Sequence, residues 1–223
     1  MLTLDPAAAY DRAVGLATRS SRSLLGITGA PAAGKSTYAE QLAAKLTADG
    51  HTVALVPMDG YHLAQSVLEE LGLAAVKGAP HTFDGYGFVA LLRRLKEAPD
   101  ELIWAPRFDR GLEDSIAASI GIAPEVTLVV TEGNYLLLDE MPWATIRTLL
   151  DQCWYVEVPE QLRHERLEAR HRRYGRSPEE AHERAFGSDE RNARLIAATA
   201  PAADAIIQLD WHTRSMKAAT PSR

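Results

Sequence analysis

The chain has 223 residues, 46% hydrophobic and 24% charged, ample apolar material for one domain with a buried core. Its formal net charge is −6, so general attraction to nucleic acid or to an anionic membrane surface is not expected. A single cysteine excludes an internal disulfide framework, and no apolar run approaches the roughly 20 residues of a membrane span. The stretch "MLTLDPAAAYDRAV" carries Asp5, Tyr10 and Asp11 where a signal peptide needs a basic end and an apolar core. These features together predict a cytoplasmic protein without a membrane or nucleic-acid partner.

Pro6 to about Arg19 reads as a leading helix. "SLLGIT" (Ser23–Thr28) is short and apolar, as a buried strand requires. A helix over Ser36 to Ala48 follows, closed by Gly50. "TVALVPM" (Thr52–Met58) is a second strand, and Leu63 to Leu71 a short helix. Gly87 to Lys96 is helical, with Leu91, Leu92 and Leu95 at helical spacing. "ELIW", "VTLVVTE" and "CWYVEV" read as strands, Cys153 being a small buried thiol of the last. "AIIQL" (Ala205–Leu209) closes the series. Strands alternating with helices imply a parallel sheet with helices on both faces, and such sheets bind ligands at the carboxyl ends of their strands.

The first strand runs into Gly29-Ala30-Pro31-Ala32-Ala33-Gly34-Lys35-Ser36, which fits G-x-x-x-x-G-K-[ST] at every fixed position. Its glycines let backbone N–H groups turn into one concavity, and the following helix adds its positive end. Lys35 is placed to reach the outer phosphates and the Ser36 hydroxyl to ligate Mg²⁺, so Gly29 to Thr37 predicts a site for ATP and Mg²⁺. Asp59, in "PMDGYHL" at the end of the second strand, reads equally as a base that takes a proton from an attacking hydroxyl or as the start of an Asp-Gly turn. On the first reading it faces the terminal phosphate from the tip of a neighbouring strand. Glu132, ending "VTLVVTE", reads as a carboxylate that helps hold Mg²⁺ or as a solvated strand end. In "PEQLRHERLEARHRRYGRSPEEA", Arg166, Arg170 and Arg173 are spaced to share one helix face. Gly175 and Pro178 break that helix, and Ser177 with Glu180 supplies a capping box for the next. A basic helix–turn–helix predicts a lid over phosphates, although any one arginine also reads as a solvated partner of Glu165 or Glu168.

"GITGAPAAGKST", "VPMDGYHL", "KGAPHTFDGYGF", "APRFDR", "EGNYLLL", "RHRRYGRSPEEA" and "SDERNARLI" together resemble the superfamily of uridine kinases, phosphoribulokinases and bacterial pantothenate kinases. More narrowly they resemble bacterial nucleoside/nucleotide kinase family proteins, some labelled fructose-transport-associated kinases. The glycine loop is shared very widely. "MDGYHL" followed by "KGAPHTFD" is more specific, and is similar to the Asp-Gly-Phe and Lys-Gly-x-Pro-x-x-x-Asp segments of pantothenate kinases. The resemblance implies an α/β, three-layer P-loop NTPase fold. It would have a parallel five-stranded sheet, helices on both faces, and a small helical lid at about 160–187 inserted in one domain spanning 1–223. It makes Asp59 the catalytic base, beside Lys35 and the lid residues Arg166, Arg170 and Arg173. Lys77, His81, Asp84, Arg107 and Asp109 would line the acceptor pocket, and Tyr61, His62 and Asn134 would contact an acceptor. The bland readings make Asp84 an N-cap, Arg107 and Asp109 a surface pair, and His62 a packed loop histidine. A homodimer is compatible with the resemblance, although no stretch demonstrates an interface.

The full substrate-pocket pattern of uridine kinase, phosphoribulokinase or pantothenate kinase is not found, so the resemblance does not carry an acceptor with it. The expectation is a Mg²⁺-requiring, ATP-dependent kinase acting on a hydroxyl of a sugar, nucleoside or vitamin-like metabolite. The rival reading is a nucleotide-binding regulatory P-loop protein without kinase activity. The chain has no N-K-x-D guanine-reading motif and no L-S-G-G-Q stretch.

Overall fold

The computed structural model describes residues 2–209. The described strands are β1 (Leu2–Leu4), β2 (Ser23–Thr28), β3 (Val53–Pro57), β4 (Ile103–Asp109), β5 (Asp114–Ile122), β6 (Leu128–Glu132), β7 (Gln152–Glu157) and β8 (Ala205–Gln208). Six of these form one parallel sheet in the order β1-β8-β7-β2-β6-β3, and β4 and β5 pair antiparallel as a separate hairpin. Around them lie α1 (Pro6–Ala17), α2 (Lys35–Ala48), α3 (Gln65–Glu70), α4 (Gly85–Glu97), α5 (Ile146–Leu149), α6 (Glu160–Arg173), α7 (Pro178–Phe186) and α8 (Ser188–Ala197).

Successive side chains of a strand point to opposite faces, and the core divides accordingly. Leu24 and Val129 join Phe88, Leu92 and Leu95 of α4 on one side of the sheet. Leu25, Ile27 and Val130 join Leu16 of α1 and Leu42 and Leu46 of α2 on the other. Both central strands, β2 and β6, are buried at every residue, which is why they read as unbroken apolar runs.

The sheet has six strands rather than five, because the three residues of β1 add an edge strand beside β8. Leu-Thr-Leu is too short to show a period and becomes a strand only through that partner. "ELIW" does not enter the sheet: Ile103 and Ala105 are buried while Trp104 between them is exposed, the alternation of a strand covered on one face only. It opens β4, whose partner β5 is built largely from small residues and gives no strand signal in the sequence. The P-loop strand β2 lies between β6 and β7, so β3 is one strand further away than the sequence suggests.

Arg22 pins this layout from inside. It is buried, and its guanidinium donates to the carbonyls of Leu95, Pro99, Ala123, Pro124 and Val126, tying the start of β2 to the end of α4 and to the loop before β6. The Ser177–Glu180 capping box forms as the sequence predicts, with both reciprocal bonds present at the start of α7. Helices α6 to α8 all lie in the connection between the adjacent strands β7 and β8. No described helix is long and apolar enough to cross a membrane.

Candidate active site

Residues 29–34 link β2 to α2 at the carboxyl edge of the sheet. Gly29 has φ +155°, and a Cβ there would lie 2.8 Å from the Val156 carbonyl oxygen, so the loop can pass β7 only without a side chain. Ala32 takes a left-handed φ of 63° and the Ala33 N–H bonds back to Ala30, which curls the loop around a central space. Lys35 opens α2 and Ser36 follows it, both on the wall of a cavity of about 590 Å³. Thr37 is exposed on the same first turn.

Burial pushes the Lys35 ammonium below its usual range, against the pull of Glu132 and Asp59. Burial pushes the Glu132 carboxyl up, with Lys35 opposing; the Ser36 hydroxyl also bonds that carboxylate and favours its charged form. Glu132 ends β6, the immediate neighbour of β2, and is buried rather than solvated. Asp59 lies in a single 3₁₀ turn, Met58–Tyr61, directly after β3. It occupies a turn and also lines the cavity. Its Oδ2 accepts a bond of 3.1 Å from Arg110 Nη2.

Beside Asp59 the cavity has an aromatic wall. His62 lies between Phe83 and Phe108, with centroids 4.0 and 4.9 Å away, and its Nδ1 is 3.0 Å from the Asp59 carbonyl. Burial lowers the tendency of His62 to carry charge. Lys77 lines the same wall and donates to Gln65 Oε1 and to the Glu113 carbonyl. Asn134 lines it too, with its Oδ1 buried and without a partner while its side chain bonds Tyr135.

Several expected acceptor residues lie elsewhere. Tyr61 packs on Phe88, and burial pushes its hydroxyl up to about 12. His81 is exposed and outside the lining of the cavity. Asp84 caps α4 by accepting from the Gly87 N–H at 2.8 Å, which is the bland reading of that residue. Asp109 accepts from the Gly111 and Leu112 N–H groups and shapes the β4–β5 turn. Arg107 lines a smaller adjoining cavity with Ser36, Asp59, Arg110 and Glu132.

From α6, Arg170 lines the main cavity, whereas Arg166 and Arg173 fall outside its lining. Arg176 and Arg184 join Arg170 there, together with His171 and Asp189, which bond each other at 2.6 Å. Burial, followed by the neighbouring Arg176, lowers the affinity of Arg184 for its proton. Arg163 turns inward instead, bonding Glu190 of α8.

A half-buried lysine, a hydroxyl and two carboxylates thus converge at the mouth of a glycine loop, the equipment of a phosphoryl-transfer site. The family model for methylmalonyl Co-A mutase-associated GTPase MeaB matches residues 9–64, the part of the chain that carries this loop. A candidate uridine kinase of Schizosaccharomyces pombe is 32% identical over 207 residues, covering 89% of this chain and 88% of that one. The chain belongs to the uridine kinase- and pantothenate kinase-like family of P-loop kinases. A solved structure in this family, a candidate fructose transport system kinase from Silicibacter sp. TM1040, is 38% identical and superposes with a TM-score of 0.83, covering 91% of this chain and 98% of that one. The pantothenate kinase of Yersinia enterocolitica is 29% identical over 147 residues, 62% of this chain and 46% of that one.

Within this P-loop kinase, sequence reasoning missed Arg110, Arg176 and Arg184. Arg110 and Arg176 stand inside stretches that carry the family resemblance, "APRFDR" and "RHRRYGRSPEEA", so the signal was present one or a few residues from those singled out. Arg184 has no comparable local cue; it enters the cavity because α7 folds back along α6.

Proposed function

We propose that this P-loop kinase transfers the γ-phosphate of ATP to a hydroxyl of a small polar metabolite, with Asp59 as its base. The single observation that carries the reading is the convergence of Asp59, Lys35 and Arg170 on one cavity that Phe83, Phe108 and Asn134 also line. Lys35 and the loop N–H groups hold the outer phosphates of ATP. Asp59 accepts the acceptor's O–H proton as its oxygen bonds to the γ-phosphorus; the bond to the bridging oxygen breaks and ADP leaves. Asn134, which lines the cavity, offers its amide to a second polar group of the metabolite. Closure of α6 and α7 brings Arg170, Arg176 and Arg184 around the transferring group and excludes water.

The Ser36 hydroxyl bonded to the Glu132 carboxylate is an all-oxygen donor set of the kind Mg²⁺ prefers, so these two residues fit as its holders. When bound, the ion would offset charge on the phosphates. The match to a GTPase family concerns residues 9–64 only, which read phosphates rather than a base.

The test is ADP release from Mg-ATP, with Mg-GTP in parallel, across nucleosides, sugars, sugar phosphates and pantothenate-like vitamins. A productive acceptor should lose at least about a hundredfold in kcat with Asp59→Asn while ATP affinity stays nearly unchanged. Full activity in Asp59→Asn would remove Asp59 from the mechanism. Nucleotide binding without turnover of any acceptor would favour a nucleotide-sensing protein.

A further inference from the structure

Arg110 is the cation nearest the proposed base, and nothing in the P-loop or lid supplies it. It follows β4 directly and reaches across to Asp59, 51 positions earlier in the chain, through a single 3.1 Å contact. Its guanidinium lies 5.9 Å from the Phe108 ring, and Lys77 lies 5.4 Å from the same ring. Lys77 is already engaged by Gln65 and by the Glu113 carbonyl, whereas among the described residues the Arg110 guanidinium bonds Asp59 alone. The Arg110 and Asp59 side chains are 52% and 30% exposed, so the pair is weak and exchangeable. Arg110 also lines both the main cavity and the adjoining one with Ser36 and Glu132, which puts it between the base and the phosphate end.

We propose that Arg110 is an anion-exchanging residue of the active site: it holds Asp59 in the resting chain and passes to an incoming anion when the cavity fills, freeing the carboxylate to accept the hydroxyl proton. The inference rests on the kinase reading above. While Asp59 Oδ2 accepts from Arg110, that oxygen is not open to a substrate hydroxyl, which can bond it only once the guanidinium has moved away. An arriving phosphate or carboxylate offers two oxygens in the planar geometry a guanidinium prefers, and so competes well against the single contact to Asp59. The exchange couples the base to occupancy and restrains it from activating water in the empty site. The anion is either the terminal phosphate of the donor or an acidic group on the acceptor.

Calorimetric titration of the full chain and of Arg110→Ala and Arg110→Lys separates these sources. One arm compares Mg-AMP-PNP with Mg-ADP. The other compares D-glycerate with glycerol on protein saturated with Mg-AMP-PNP. If Arg110 takes the donor's phosphate, Arg110→Ala lowers the preference for AMP-PNP over ADP by about tenfold and Arg110→Lys restores part of it. If it takes the acceptor's anion, the donor preference is unchanged, and a preference of the unsubstituted chain for glycerate over glycerol disappears in Arg110→Ala. Unchanged preferences in both arms overturn the exchange and leave Arg110 a surface ion pair. Both arms read binding constants, so their failure is distinct from failure of the kinase reading, which ADP release decides.

Discussion

Gly60 stands directly after the proposed base, and a Cβ at this position would lie 2.5 Å from the carbonyl oxygen of Pro106 in β4. Real Cβ contacts do not come so close, so any side chain here pushes the Asp59 turn and the hairpin apart. Gly60→Ala is expected to cost about 1–3 kcal/mol in urea unfolding. Because the displaced turn carries Asp59, kcat should fall well below that of the unsubstituted chain while the KM for ATP moves little. Unchanged stability and kcat together would show that this close approach is not maintained in solution. Lys35 at the start of α2 and Glu132 at the end of β6 constrain each other: burial disfavours the charge of each, and each opposes that effect in the other.

Among the elements, the α6–α8 unit is held by charge rather than by a large apolar core. His182 bonds Glu168 at 2.7 Å between α7 and α6, His171 bonds Asp189, and Glu190 of α8 accepts from Arg163, His164 and Arg194. Burial by itself would raise the Glu190 pKa, but the bonds from His164, Arg163 and Arg194 outweigh it and hold the carboxyl at about 2. A carboxyl depressed in the folded chain contributes stability that is complete above its unfolded value of 4.5 and is lost as pH falls through 2. Acid unfolding between pH 4.5 and 2, followed by circular dichroism, should therefore be shallower in Glu190→Gln. That variant should also be less stable at pH 7 by roughly 2 kcal/mol. Identical acid transitions in the two chains would count against the network. The capping box of α7 was legible in the sequence because it depends on residues three apart. The bonds from α6 to α7 and α8 were not, because they depend on how two helix turns bring residues 14 to 27 positions apart into contact.

At the scale of the whole molecule, Arg22 ties together the start of β2, the end of α4 and the loop before β6. Its burial pushes the guanidinium pKa down, and its bonds go to main-chain carbonyls that would otherwise be left without those donors. Arg22→Met is expected to cost about 3 kcal/mol. For a chain of this size that lowers Tm by on the order of 10 °C, readable by scanning calorimetry. A Tm within a degree or two of the original would mean that water or relaxation replaces these bonds.

The sequence by itself determined the layered α/β plan, the phosphate loop, the carboxylates at the ends of two strands and the capping box of α7. Each is written in a short span: an apolar run long enough for a strand, a spacing of three or four residues, or a motif of eight. The tertiary structure alone decided that β6 separates β3 from the loop-bearing strand, that Leu2–Leu4 completes the sheet and that "ELIW" leaves it for a hairpin. It also decided that Arg170 rather than Arg166 or Arg173 lines the cavity, that Asp84 and Asp109 serve the backbone, and that Arg110 meets Asp59. These outcomes turn on which distant segments pack together. A side chain's neighbours across the sheet and around a helix are set by the burial of the whole core, which no local spacing encodes.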